Sequence, residues 1–298
     1  MNAANRYGWI VAMGVLLGTS LTGCKETSDP IGDEKKAQND EEIRAYLSTN
    51  NISAQRTTEG LYYKVVSKGT STQKPAVGDE VKVTYVARRL DGVLVDSSEI
   101  SLNKPVRIVY GIGKIPFLSD RATQLLLETP LLTEGDSATL LVPSYLSYGS
   151  TGTLLFPAYS PVRLDLKVVS VRTEVEQMDD FAKANSITIS ETTDKGLRFG
   201  KTVSRPDSAE IKEGSIVQVK YTGRLMDNTV FDSGTISVTL GSTSLVPGFT
   251  QGLLKLRAGE KANLLFPSVL GYGTQGKQPT IAPFSPLYFE VEIVSKTK

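Results

Sequence analysis

A long internal repeat fixes most of what this chain can fold into. Leu140-Leu141-Val142-Pro143-Ser144-Tyr145-Leu146-Ser147-Tyr148-Gly149 returns as Leu264-Leu265-Phe266-Pro267-Ser268-Val269-Leu270-Gly271-Tyr272-Gly273. Val81-Lys82-Val83-Thr84-Tyr85 returns as Val217-Gln218-Val219-Lys220-Tyr221, and Val95-Asp96-Ser97 as Phe231-Asp232-Ser233. Thr123-Gln124-Leu125-Leu126-Leu127 is echoed by Thr250-Gln251-Gly252-Leu253-Leu254. Order and approximate spacing persist throughout, so the chain holds two homologous domains. Its 298 residues are enough for two cores.

Both copies read as antiparallel sheet with little helix. Val217, Val219 and Tyr221 alternate with Gln218 and Lys220, as Leu287, Phe289, Val291 and Ile293 alternate with Tyr288, Glu290 and Glu292. Val162, Leu164, Leu166 and Val168 repeat the pattern upstream. Period two marks half-buried strands. Asp91-Gly92 and Asp227-Asn228 predict hairpin turns, because these residues tolerate positive φ. One short helix is expected inside each copy, over 119–127 and 249–256; Phe249, Leu253 and Leu256 share one face. Helical spacing also precedes each copy, over 40–49 (Ile43, Tyr46, Leu47) and 175–184 (Met178, Phe181, Ala182). The second of these predicts a semi-rigid connection over 172–185.

Composition excludes several function classes. Lys plus Arg (33) nearly balances Asp plus Glu (32), which leaves no electrostatic footprint for nucleic acid. With no histidine, imidazole catalysis and the usual zinc sites are ruled out. At the N-terminus, Arg6 precedes the apolar run Trp9-Ile10-Val11-Ala12-Met13-Gly14-Val15-Leu16-Leu17, too short to span a bilayer comfortably and suited to a secretory signal over 1–23. Leu21-Thr22-Gly23-Cys24 resembles a bacterial lipobox, which implies lipid on Cys24, the only cysteine, and a membrane-anchored protein of the cell envelope, facing the periplasm or the cell surface. The polar stretch 24–40 is expected to be a flexible tether.

In the second copy Tyr221-Thr222-Gly223, Phe231-Asp232-Ser233, Val246-Pro247-Gly248-Phe249, Tyr272-Gly273, Ile281-Ala282-Pro283 and Phe289-Glu290-Val291-Glu292 follow one another in an order that resembles the FKBP-type peptidyl-prolyl cis-trans isomerases. The resemblance implies an α+β chain of two FKBP-like domains, 41–172 and 173–298. Each is a twisted antiparallel β-sheet wrapped around one short α-helix, with a helical segment before it. It implies further that Tyr221, Phe231, Phe249 and Phe289 form aromatic walls and floor around a prolyl ring, and that the Val246 N–H and the Tyr272 hydroxyl meet substrate carbonyls. By the same resemblance Ile281 would close the rim, and Asp232 would be a buried carboxylate beside Tyr221. Phe249 stands where the family often has Trp, and Ala282 replaces one proline of the flap.

Such a site needs no nucleophile, metal or cofactor. Its substrates would be proline-containing or unfolded exported polypeptides. A non-catalytic envelope chaperone or adaptor that binds extended chains is the competing reading.

The first copy keeps Tyr85, Asp96 and Tyr148, but Val95, Ala122 and Leu164 replace three aromatics. Ser119 stands in place of Val246 and Arg121 in place of Gly248, while Phe156 falls near the position of Ile281. With three aromatic surfaces missing, each worth on the order of 150–250 Å² of buried area, little grip on proline is expected there.

Overall fold

The computed structural model describes residues 30–98, 104–128, 131–242 and 244–297. The expected signal segment over 1–23 and Cys24 lie outside the described residues. Domain 1 runs through α1 (Pro30–Thr49), β1 (Gln55–Arg56), β2 (Tyr62–Ser67), β3 (Glu80–Arg89), β4 (Leu94–Ser97), β5 (Val106–Val109), α2 (Asp120–Glu128), β6 (Ser137–Val142) and β7 (Val162–Arg172). Domain 2 runs through α3 (Glu174–Ala184), β8 (Glu191–Thr192), β9 (Arg198–Val203), β10 (Ile216–Arg224), β11 (Val230–Thr239), α4 (Pro247–Leu253), β12 (Lys261–Phe266) and β13 (Leu287–Lys296).

The two sheets have the same strand order, β1-β2-β6-β7-β3-β4 and β8-β9-β12-β13-β10-β11, with antiparallel neighbours throughout. They differ at one edge. A continuous β11 lies along β10, whereas β4 and β5 pair separately with the two ends of β3. Both expected hairpin turns form. Gly92 (φ +90°) and Asn228 (φ +68°) take the left-handed conformation, and the carboxylates of Asp91 and Asp227 accept the N–H groups of Val93 and Thr229.

Alternation gives each sheet two apolar faces. Leu140 and Leu264 point inward to the main cores, where α2 and α4 lie, while Leu141 and Leu265 point outward. Onto Leu141 and Tyr62 packs Ile43 of α1; onto Leu265 and Tyr288 pack Met178 and Phe181 of α3. Full burial of such a side chain contributes about 1.5–3 kcal/mol, so these outer helices are fixed by packing. A capping box starts α3: Thr173 Oγ1 accepts the Glu176 N–H, and the Glu176 carboxylate accepts the Thr173 N–H at 2.8 Å.

Four helices differ from the sequence expectation, α3 only by starting one residue early, at Glu174. Helix α1 begins at Pro30, so residues 30–40 are helical instead of tether. Proline suits the first turn of a helix, and buried Asn39 ties this part of α1 to domain 1. Its Oδ1 accepts the Ser144 N–H at 2.7 Å, and its Nδ2 donates to the Tyr159 carbonyl at 2.9 Å. Helix α4 covers 247–253 in place of 249–256, with Leu254 as its C-cap and Leu256 buried in the turn that follows. Helix α2 is displaced by one residue, to Asp120–Glu128.

Candidate active site

A β-bulge builds one wall of the site. On β10, Gly223 pairs with Asp232 of β11 on one side and with Phe289 of β13 on the other. The register then slips between Gly223 and Arg224, which leaves Phe231 without a paired residue. A bulge re-aims the extra side chain, and Phe231 meets Phe289 edge to face at 5.5 Å and 88°. Gly223 permits this approach: a Cβ there would lie 2.6 Å from the Phe231 ring and 2.8 Å from that of Phe289.

Helix α4 supplies the floor. Val246 is its N-cap and Pro247 occupies its first turn, which aims buried Phe249 at Tyr221 (5.8 Å between ring centroids) and Phe289 (5.0 Å). The helix sits low because Gly248 lies directly on Phe266; a Cβ there would be 2.5 Å from that ring. Phe266 in turn stacks on Phe289 at 5.7 Å and 12°. Sequence reasoning missed Phe266, although its place in the longest repeat, opposite Val142, marked a gain of aromatic surface specific to the second copy.

The rim comes from the loop after β12. The Gly273 N–H donates to the Ser268 carbonyl at 2.8 Å and the Gly276 N–H to the Tyr272 carbonyl at 3.1 Å, while Lys277 and Ile281 form an isolated bridge. These bonds bring half-buried Tyr272 and buried Ile281 onto the apolar cluster of Phe249 and Phe289, with Val246 packed against it. The Lys277 ammonium lies 5.6 Å above the Tyr272 ring. Among the described residues, the Val246 N–H has no hydrogen-bond acceptor.

Seven of the eight expected residues therefore share one apolar cluster. The eighth, Asp232, touches it through the Tyr221 hydroxyl, which donates to Asp232 Oδ2 at 3.0 Å. Asp232 is exposed, not buried as the resemblance implied, because β11 is an edge strand with one side open to solvent. Burial of Tyr221, reinforced by the bond to Asp232, raises the phenol above its ordinary value of 10. The hydroxyl stays protonated and able to donate at neutral pH.

Domain 1 keeps the frame and fills the space. The same bulge recurs between Ala87 and Arg88, with Val95 unpaired, Ala87 opposite Asp96 and Leu164, and Tyr85 donating to Asp96 at 2.6 Å. The Ser119 N–H is committed to the Leu146 carbonyl at 2.8 Å. In the same buried cluster as Ala122 lies a ring that sequence reasoning overlooked, Phe117. It is 6.1 Å from Tyr85, 5.4 Å from Tyr148 and 5.9 Å from Phe156. Tyr85 is only 5% exposed, whereas Tyr221 is half-buried.

Comparison with known proteins bears on the family of the two repeats. The profile of the FKBP-type peptidyl-prolyl cis-trans isomerases matches residues 71–169 and 207–294. FK506-binding protein 2 of Yarrowia lipolytica is 44% identical over 89 residues, 28% of this chain and 62% of that protein. The FKBP-type 22 kDa peptidyl-prolyl cis-trans isomerase of Escherichia coli is 34% identical over 126 residues, 40% of this chain and 58% of that protein. The chain thus spans less than two thirds of the length of these relatives. A structure of the three FKBP domains of wheat FKBP73 covers 83% of this chain and 99% of its own at 24% identity and a TM-score of 0.39. With the family profile matching both repeats, the chain belongs to the FKBP-type peptidyl-prolyl cis-trans isomerases and carries two FKBP domains in tandem.

Proposed function

We propose that domain 2 performs the peptidyl-prolyl isomerisation of this chain, on proline-containing segments of exported polypeptides. The carrying observation is the contrast between the two copies. Tyr221, Phe231, Phe249 and Phe289 form a box over which, among the described residues, no further ring is laid, while the corresponding space in domain 1 holds Phe117.

The chemistry suits this box. Rotation about an X-Pro bond crosses a barrier of roughly 18–20 kcal/mol because it gives up amide resonance. The twisted amide has less charge separation than the planar one, so a dry aromatic site favours it relative to water. In this reading the Val246 N–H and the Tyr272 hydroxyl select the rotated geometry through substrate carbonyls. No proton is transferred, which is consistent with a Tyr221 phenol held in its neutral form.

Work on exported proteins, and a membrane anchor through lipid on Cys24, are supported by the apolar run over 9–17 and by Leu21-Thr22-Gly23-Cys24. The deciding experiment follows cis-trans exchange of a proline tetrapeptide with the full chain. Phe249→Ala should reduce kcat/KM at least tenfold, while Asp96→Ala in domain 1 should leave it within about twofold. A wild-type chain without activity, or activity lost with Asp96 and kept without Phe249, would refute the assignment.

A further inference from the structure

Phe117 reaches domain 1's pocket from outside the helix that forms its floor. In domain 2 the ring that meets Tyr221 from α4 is Phe249, and the corresponding helix position in domain 1 is Ala122. Phe117 lies instead in the loop before α2, and its ring spans Tyr85, Tyr148 and Phe156. These are the counterparts of a wall residue (Tyr221), the hydroxyl-bearing loop (Tyr272) and the rim (Ile281). A ring that touches wall, loop and rim together occupies the place of a ligand.

Two features make this occupant displaceable. Phe117 has φ +65°, a left-handed conformation that a bulky residue adopts only under strain, so its release relieves backbone energy. Beside it the chain turns tightly, with the Thr153 N–H donating to the Phe156 carbonyl at 2.7 Å and the Phe156 N–H to Thr153 Oγ1 at 3.0 Å. That turn leaves Leu154 97% and Leu155 55% exposed, while Phe156 is buried with its ring 6.0 Å from that of Tyr148, itself 42% exposed. Large apolar side chains exposed side by side at the edge of an aromatic pocket are the arrangement expected of a surface that meets another chain.

We propose that domain 1 binds extended polypeptide by ring exchange. A phenylalanine side chain of the incoming segment replaces Phe117 among Tyr85, Tyr148 and Phe156, and apolar neighbours of that residue lie on Leu154 and Leu155. The ligand class follows from the present occupant: the site already holds a phenyl ring with edge-to-face contacts at 80° and 89°. The inference uses the correspondence between the two domains and does not depend on isomerisation by domain 2.

The test measures binding of a labelled, unstructured, proline-free peptide to the full chain by fluorescence anisotropy, with one phenylalanine or with alanine in its place. Wild type should prefer the phenylalanine peptide, and excess proline tetrapeptide should not displace it. Phe117→Ala should tighten that binding about tenfold, because the competing internal ring no longer lowers the fraction of open sites. Leu154→Ser with Leu155→Ser should weaken it. If the near-UV spectrum shows that Phe117→Ala loses its fold, Phe117→Leu is read with the same expectation. Equal affinity for the two peptides, or unchanged or weaker binding after Phe117 is replaced in a folded variant, overturns the proposal.

Discussion

The Tyr221 hydroxyl donates to Asp232 across the β-bulge that turns Phe231 toward Phe289. Because Asp232 is exposed, the bond orients the wall without anchoring the fold. A bond of this kind contributes about 1 kcal/mol, so Asp232→Ala should lower kcat/KM roughly fivefold while leaving the thermal midpoint nearly unchanged. Asp232→Asn keeps an acceptor and should lose less. Since the Tyr221 phenol is raised above 10, its neutral form persists to higher pH than that of a free tyrosine, and the rate should stay flat from pH 6 to about 9. A rate that falls between neutral pH and 9 would contradict this role.

Gly223 fixes how near the two aromatic walls can come. Alanine there would place its Cβ 2.6 Å from Phe231 and 2.8 Å from Phe289, and neither ring can retreat without changing the box. Domain 1 carries Ala87 in the same register, where Leu164 and Val95 replace the two rings. Gly223→Ala should therefore cost about tenfold or more in kcat/KM, with a destabilisation of roughly 1–3 kcal/mol from overpacking. Wild-type exchange rates in this variant would mean that the walls are not set by Gly223.

The strands, the turns and the inner helices were legible because alternation, left-handed turn residues and apolar spacing are local signals. Most of the site was legible for a different reason: an ordered set of motifs supplied the tertiary context that single aromatics lack. What escaped depends on contacts distant in sequence. The early start of α1 rests on Asn39 reaching Ser144 and Tyr159, which its own polar neighbours do not announce. The exposure of Asp232 depends on β11 being an edge strand. Phe117 reads as ordinary core, and only its position between Tyr85 and Tyr148 makes it an occupant.

Both domains should share an acid-sensitive joint. Burial disfavours the charged form of Glu260, but the N–H of Arg205, the Lys201 ammonium and the N–H of Arg257 outweigh it and hold the carboxyl at about 2, below its ordinary 4.5. In domain 1, burial of Asp136 is likewise outweighed by Lys68 and the N–H groups of Thr133 and Gly69, which lower it. A depressed folded value gives stability that is complete above the unfolded value and lost as pH falls through the folded one. Thermal midpoints should drop most steeply from pH 4.5 to about 2. Glu260→Gln should be less stable than wild type at pH 7 and converge with it at low pH. Parallel curves for the two proteins would exclude Glu260 as a source of the acid loss.

The lipid proposed for Cys24 has a direct consequence for where the protein should be found. In a bacterial host that processes lipoproteins, the full chain should fractionate with membranes, and Cys24→Ser should release it or leave it unprocessed. Equal membrane recovery of the two would remove the anchor.

Domain 1 also rests on the loop that carries the rim of domain 2. Gly78 (φ +99°) lies so close to Phe284 that a Cβ on it would be 2.6 Å from that ring. Phe284 stands three residues after Ile281, and its N–H donates to the Gly273 carbonyl at 3.0 Å, next to Tyr272. The contact therefore bears on both rim residues. Its counterpart Tyr159 makes the same turn (φ +57°), with its N–H on the Gly149 carbonyl at 2.8 Å, and is seated by α1 through Asn39 and through Lys35, 5.9 Å above its ring. In each copy the ring is held by an earlier part of the chain. Phe284→Ala should loosen the rim without touching the floor, so that KM for a proline peptide rises about threefold while kcat holds. Hydrogen exchange at the amides of Gly273, Gly276 and Ile281 should quicken at the same time. Unchanged KM together with unchanged exchange would show that the rim stands without this support.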